Sequence, residues 1–499
     1  MTSRQSPANQ QQLHVVGLVA CGTILGATLA LGASWMAKEI LAFENEAEHM
    51  SKEEVYALRK QLFCDAQSIS YENSDPLMIV RGESHHLIDD RGFRYLDSRN
   101  NPACVGWQRQ AVVDAVSRQL AKTNSNTRYL HPYPVLLARE LIRTMPTGSR
   151  LKRVFFVNSG SEANDLALRL ARTHTGATDV VVVERAYHGH TEAVLAISPY
   201  KFLGKGGKGC PEQTHVVPCP DSYRERSDHE SEQEFASRMA AYVDEKLEYV
   251  EGQGRRTAAF FVESGMSVAG VIMPPRGYLT SVYASVRAQG GVCVADEVQV
   301  GFGRLGGHFW GFEQQGVDPD IVTMAKPFGN GVPLAAVVCS DAVANSFTNG
   351  MEYFNTFGGN PVACAAGLAV LEIIQSDRLQ AHAAETGAYF CERLHALMQT
   401  RAGCLIGDVR GSGLFLGIEF VRDRVSKEPA SKEVSFIITQ LLHQHRILTS
   451  CDGKHSNVLV IKPPLTFDKS SVNTFVDALE LALQSVHDAD LSKVQHTPT

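Results

Sequence analysis

The amino-acid sequence predicts an α/β protein: a large domain built on a mostly parallel sheet, joined to a smaller α+β domain. Three observations lead there. Short, continuously apolar runs recur along the chain, amphipathic stretches lie between them, and the rhythm changes near residue 345. Strands covered on both faces by helices are apolar at every position, whereas half-exposed strands alternate. Strand–helix alternation of this kind builds a parallel sheet.

The predicted strands are Val154–Val157, Val180–Val183, Ala258–Val262, Val292–Ala295 and Ile321–Met324. Between them, Ser161–Arg172 places Ala163, Ala167, Leu170 and Ala171 on one helical face. A turn at Gly358-Gly359-Asn360-Pro361 leads into a predicted helix over Val362–Gln375, followed by strand candidates Leu414–Phe420 and Val458–Ile461. The expected division is an apolar segment and spacer over 1–62, then the N-terminal part of the smaller domain over 63–110. The large domain follows over 111–345, the rest of the smaller domain over 346–486, and a disordered polar tail over 487–499.

Composition narrows the function classes. The chain has 499 residues, 44% hydrophobic and 20% charged, the balance of a globular enzyme able to bury a large core without disulfides. A net charge of −7 gives no basic surface for nucleic acid. Eleven cysteines are scattered from Cys21 to Cys451 with no C-x-x-C pair, which points to a reducing compartment around the body and away from a zinc site.

Val15–Met36 carries no charge, and its length suits a helix crossing a bilayer. It lacks the polar stripe of a helix buried against a core, so it is expected to be a membrane anchor or a cleaved targeting sequence. The destination is a mitochondrial or another membrane. Glu39–Leu62, charged and helix-prone, reads as a spacer.

Ligands of open parallel sheets collect beyond the carboxyl ends of the strands, and three strand ends here carry polar groups. After Val157 comes Asn158-Ser159-Gly160-Ser161-Glu162, where small residues at a helix start suit an anion or, equally, an ordinary N-cap. After Ala295 comes Asp296, a buried carboxylate that needs a cation, such as a protonated ring nitrogen, or else caps the next helix. After Met324 comes Ala325-Lys326-Pro327; the proline keeps Lys326 extended. A half-buried lysine there loses basicity and can form an imine, although most single lysines are surface groups. The separation between Asp296 and Lys326 fits one strand–helix–strand crossover, which turns both toward one crevice.

Taken together, NSGSEAND, AYHGH, ADEVQVGFGR, AKPFGNG and FNTFGGNP make the sequence resemble the class III, fold-type-I pyridoxal-phosphate aminotransferases over Tyr71–Leu483. Through SPYKF (Ser198–Phe202), GMEYFNTFGGNP (Gly350–Pro361) and IKPP (Ile461–Pro464) it is most similar to the phospho-lyases of ethanolamine phosphate and 5-phosphohydroxy-L-lysine. The resemblance implies pyridoxal 5'-phosphate bound in the large domain. Lys326 would carry it as a Schiff base and act with Asp296 in catalysis. Ser159, Gly160 and Ser161 would hold its phosphate, Tyr187 would stack on its ring, Asp296 would pair the ring nitrogen, and Gln299 would sit near the phenolic oxygen. Thr356 would reach the cofactor phosphate of a neighbouring subunit, which implies a homodimer or higher homo-oligomer. Glu263, Arg410 and Lys201 would face a small phosphorylated amine. The implied reaction is elimination of phosphate and ammonia. The alternatives are ω-amine transamination onto pyruvate, glyoxylate or 2-oxoglutarate, and a catalytically silent membrane-tethered scaffold.

One stretch departs from the pattern. Gly106-Trp107-Gln108-Arg109-Gln110 stands where relatives carry Gly-His-x-His-Pro, near the substrate entrance. Two other signals are set aside. Gly204–Gly209 matches G-x-G-x-x-G without a preceding strand, so it is no dinucleotide turn. His188 and His190 lack a third metal ligand.

Overall fold

Each apolar run becomes a strand of one seven-stranded sheet. The computed structural model describes residues 43–486 and 488–494. The sheet order is Leu151–Val157, Ala335–Ser340, Ile321–Met324, Val292–Asp296, Thr257–Glu263, Asp179–Val183, Thr214–Val217. Ala335–Ser340 runs antiparallel to both neighbours, and the remaining pairings are parallel. Leu151–Val157 therefore points the same way as the parallel strands, and the six share one carboxyl edge.

Continuous apolarity has its reason in the two faces. Val180, Val182, Ala259 and Phe261 pack with Ala163, Leu166, Ala167, Leu170 and Ala171 of helix Gly160–Thr175. Val181, Val183, Phe260 and Val262 pack on the other side against Phe235, Met239, Val243 and Leu247 of helix Glu232–Gly252 and Leu279 and Val282 of helix Tyr278–Ala288. Successive strand residues point to opposite faces, so both must be apolar. Burying each such Val or Phe contributes about 1.5–3 kcal/mol. Truncating Phe261 to alanine is expected to cost about 3–5 kcal/mol.

Two further sheets flank this one in sequence. Ile79–Glu83, His86–Asp89 and Arg94–Asp97 form an antiparallel meander that takes Ile447–Leu448 as a parallel edge, with Leu448 opposite Asp97. Ile406–Ser412, Phe415–Asp423, Val458–Ile461 and Ser450–Asp452 form an antiparallel sheet, with Glu428–Pro429 pairing at its side. Helix Pro361–Ser376 begins at Asn360, whose side chain accepts from Ala363 N–H, with proline at the first helical position.

The chain divides into two compact units between Ile69 and Ser70. In the first, residues 43–49 are helical, and helix Lys52–Leu62 starts with a reciprocal Ser51–Glu54 capping box. The apolar run Val15–Met36 lies outside the described residues; among the described residues no helix is long and apolar enough to cross a membrane. Of the polar tail expected to lack structure, Leu491–Lys493 form a short 3-10 turn capped by Asp490.

Candidate active site

Register places the polar groups. Glu263 lies opposite Asp296, and Asp296 opposite Thr323, so three neighbouring parallel strands end in a row of polar side chains. Lys326 follows Thr323 by three residues. Glu263, Asp296 and Thr323 are buried and Lys326 is partly so.

Asp296 is held from three directions. Its Oδ2 accepts from Asn164 Nδ2 at 2.7 Å and lies 2.9 Å from His188 Nδ1; its Oδ1 accepts from Val298 N–H at 3.0 Å. Thr323 donates to Asn164 Oδ1 at 2.6 Å, which fixes the amide so that its NH2 faces the carboxylate. His188 Nε2 is buried without a hydrogen-bond partner among the described residues, and its ring packs on Phe261. The neighbouring Glu297 turns the opposite way: it accepts from Gly311 and Phe312 N–H at 2.8 and 2.9 Å and anchors that turn.

Burial and the carboxylate of Asp296 push the Glu263 carboxyl up to about 8, against the opposing pull of Tyr187 N–H, 3.3 Å from Glu263 Oε2, and of Lys326. Burial lowers the Lys326 pKa, partly offset by Asp296 and Glu263. A lysine of lowered basicity has its lone pair available for addition to a carbonyl.

The start of helix Gly160–Thr175 is packed too tightly for larger residues. A Cβ on Gly160 would stand 3.0 Å from Val298 Cγ1, and one on Gly189 2.8 Å from Ser161 Cα. Ser159 caps the helix, accepting from Glu162 N–H at 3.2 Å, and Ser161 Oγ accepts from His190 N–H at 3.0 Å. The Tyr187–His190 loop is thereby fastened to the helix start. Tyr187 meets Tyr200 edge-on with ring centroids 6.0 Å apart, and Lys201 Nζ stands 5.7 Å from the first ring and 5.1 Å from the second.

The other expected site residues fall in different surroundings. Gln299 Oε1 accepts from Asn101 Nδ2 at 2.7 Å, which gives Asn101 a positioning role. Thr356 is exposed. Arg410 is already engaged: it bridges Asp408 and Glu419 at 2.8 and 2.7 Å and donates through Nε to Gly270 O at 2.9 Å. Trp107 donates to Asp97 Oδ2 at 2.9 Å and fills the space over Gly82, so the departure from the relatives' pattern is a packing contact. The Gly204–Gly209 turn follows helix Pro199–Phe202, not a strand.

Sequence reasoning missed Asn164 and Thr323, and gave His188 no role. Asn164 carried a signal, an amide on the buried face of a helix beside alanines and leucines, which requires a partner. It also missed Lys462, whose Nζ donates to Ser267 Oγ at 3.0 Å.

Comparison with known proteins agrees with this architecture. The profile of the family Aminotransferase class-III matches residues 69–483. The chain is 45% identical to the alanine–glyoxylate aminotransferase 2-like protein of Drosophila melanogaster, covering 88% of this chain and 89% of that one. It is 40% identical to ethanolamine-phosphate phospho-lyase homolog 1 of Caenorhabditis elegans, covering 87% and 94%. A phospholyase from Arthrobacter, solved in complex with phosphoethanolamine, superposes with a TM-score of 0.81 at 36% identity, over 86% of this chain and 99% of that one. The chain belongs to the class-III aminotransferases, pyridoxal-phosphate-dependent enzymes of fold type I.

Proposed function

We propose that this protein is a phospho-lyase that eliminates phosphate from an amine bearing it on the adjacent carbon, ethanolamine phosphate or 5-phosphohydroxy-L-lysine, with water then hydrolysing the enamine to ammonia and an aldehyde. The observation that carries the reading is the likeness, over most of both chains, to a phospholyase bound to phosphoethanolamine. The state of Arg410 supports it. An arginine that two carboxylates already neutralise is poorly placed to grip the carboxylate of a keto acid, since freeing it breaks its ion pairs with Asp408 and with Oε2 of buried Glu419. The second reading, transamination of an ω-amine onto pyruvate, glyoxylate or 2-oxoglutarate, is favoured by the Drosophila relative's name.

The residues fit pyridoxal phosphate. The helix start at Gly160 and Ser161, with Ser159 as its cap, offers backbone N–H groups to the phosphate. Tyr187 gives an aromatic face, Gln299 a positioned amide, and Asp296 a carboxylate for the ring nitrogen. Lys326 Nζ is the attachment point, and Thr356 serves a neighbouring subunit in a homodimer. When bound, the cofactor supplies an electron sink for the pair left as the carbon beside the amine loses its proton.

The chain's own groups do the rest. Lys326 Nζ, its basicity lowered by burial, would be the base that takes that proton. Asp296, held in place by Asn164, His188 and the Val298 N–H, is the acidic group offered to the ring nitrogen. Glu263, protonated below about pH 8, adds no second negative charge beside it. Lys201, whose Nζ stands 5.7 Å from the Tyr187 ring, stabilises the charge that develops on the phosphate as the C–O bond to it breaks and inorganic phosphate leaves. The catalytic body then works in a reducing compartment, tethered to or delivered across a mitochondrial or other membrane by Val15–Met36.

The test is repeated turnover. Holoenzyme given ethanolamine phosphate without any keto acid should turn over many times and keep its original absorbance. An aminotransferase would stop after one turnover with the cofactor converted to its amino form.

A further inference from the structure

Beside Tyr187, on the side of Glu263 and Lys326, several cations converge from separate parts of the chain. Lys462 follows strand Val458–Ile461; its N–H donates to Ser98 O at 2.8 Å, which sets it next to Arg99. Its Nζ donates to Ser267 Oγ at 3.0 Å, four residues beyond Glu263. Arg185, two residues before Tyr187, donates through Nη2 to Gly453 O at 2.9 Å. Gly453 follows Asp452, which lies opposite Val458 in the sheet. Lys462, Arg99 and Arg185 thus surround Asp452, and each acts electrostatically on its carboxyl.

Three features mark this cluster as unfinished. Arg185 holds a left-handed backbone, φ 65°, unusual for a residue with a long side chain and a common mark of functional positions. Arg185 Nε is buried without a hydrogen-bond partner among the described residues. Three cations face one carboxylate, an excess of positive charge in partly dry surroundings, and such an excess calls for an anion. Burial already brings Lys462 down to about 8, with Lys326, Arg99 and Arg304 adding to the effect and Asp452 opposing it. An arriving dianion relieves that repulsion.

We propose that Lys462, backed by Arg185 and Arg99, seats the phosphate of the substrate, which the sequence placed among Lys201, Arg410 and Glu263. The ligand class is the dianionic phosphate monoester of a primary amine. The assignment rests on the phospho-lyase reading and sharpens it. Lys462 Nζ is bonded to Ser267, four residues beyond Glu263 at the end of its strand, so a phosphate held on it would lie on the Glu263 side of the site. Arg410, paired with Asp408 and Glu419, carries no comparable excess of charge.

The experiment is equilibrium dialysis of cofactor-loaded enzyme against labelled inorganic phosphate, for the parent, Lys462→Gln and Lys462→Arg. Glutamine keeps a donor for Ser267 and removes the charge. It should weaken phosphate binding by at least about tenfold, the loss of one hydrogen bond to a charged group, with cofactor absorbance unchanged. Arginine should hold affinity within about threefold of the parent, because the charge stays. Parent-like binding by Lys462→Gln overturns the assignment, as does an arginine variant as weak as the glutamine one. Should Lys462→Gln fail to load cofactor, Arg185→Gln replaces it with the same expected loss, and unchanged binding there overturns the assignment equally. No turnover is needed, so a failure of phosphate release from every amine sinks the lyase reading alone and leaves the subsite result standing.

Discussion

His188 Nδ1 lies 2.9 Å from Asp296 Oδ2, the same oxygen that Asn164 reaches at 2.7 Å. A carboxylate can only accept, so Nδ1 carries a proton toward it, and Nε2 is buried without a hydrogen-bond partner among the described residues. Two donors on one oxygen and a backbone N–H on the other fix the orientation of the Asp296 carboxylate. His188→Phe removes one charge-assisted bond, about 1.5–3 kcal/mol, and should lower kcat roughly ten- to hundredfold while cofactor stays bound. Steady-state rates on fully loaded variant decide it: activity within a factor of two of the parent would mean that Asn164 and Val298 suffice.

Asp296→Asn tests the partner of that contact. An amide cannot favour a protonated ring nitrogen, and truncating one member of a buried charge pair costs about 2–5 kcal/mol. Cofactor should still bind, and turnover should fall roughly 30- to 5000-fold. Activity within a few fold of the parent would make Asp296 a structural acid only.

Lys326→Ala should abolish the yellow absorbance of the purified protein. Borohydride reduction of the parent should fix the cofactor on the peptide containing Lys326, read by mass spectrometry. Labelling of any other lysine would contradict the assignment.

The raised Glu263 pKa has a signature in stability. Folding lifts it from 4.5 to about 8, so between those values the folded state binds more protons than the unfolded one. Its contribution is full below about pH 4.5 and is lost as pH rises through about 8. Glu263→Gln cannot titrate. Relative to the parent, the variant apoprotein should therefore gain stability as pH rises, by up to a few kcal/mol near pH 9. Denaturant midpoints at about pH 5 and pH 9 measure it, and a difference independent of pH would show that Glu263 titrates normally.

Deletion of residues 1–45 should leave a cofactor-binding enzyme with parental kcat, released from any membrane fraction, since Val15–Met36 adds no chemistry. Cofactor content and fractionation check it. An aggregated or cofactor-free product would place that run in the core.

Much of the fold was legible because its signal is local. Val180–Val183 and Ala258–Val262 are apolar at every position, and only a strand covered on both faces demands that. Thr214–Val217 and the antiparallel Ala335–Ser340 were not assigned: the first is short and half polar, and the second lies where the rhythm changes. The chemistry at strand ends was visible for the same local reason, Lys326 before a proline and Asp296 after an apolar run. Partners distant in sequence were not visible. The occupation of Arg410 depends on a register that sets Asp408 opposite Glu419, and Asn164 meets Asp296 only across the helix–sheet interface. Lys462 acquires its meaning from Ser267 and Asp452, which the sheets bring together.

The ratio of products separates elimination from transamination most directly. Holoenzyme is incubated with ethanolamine phosphate and, separately, 5-phosphohydroxy-L-lysine, with no keto acid present, and inorganic phosphate and ammonia are counted together. With at least one of the two amines, both products should accumulate in equal amounts, well beyond one equivalent of enzyme, and added pyruvate should change neither rate. If neither amine releases phosphate, while an ordinary ω-amine passes its nitrogen to pyruvate, the protein is an aminotransferase and the phospho-lyase account is wrong.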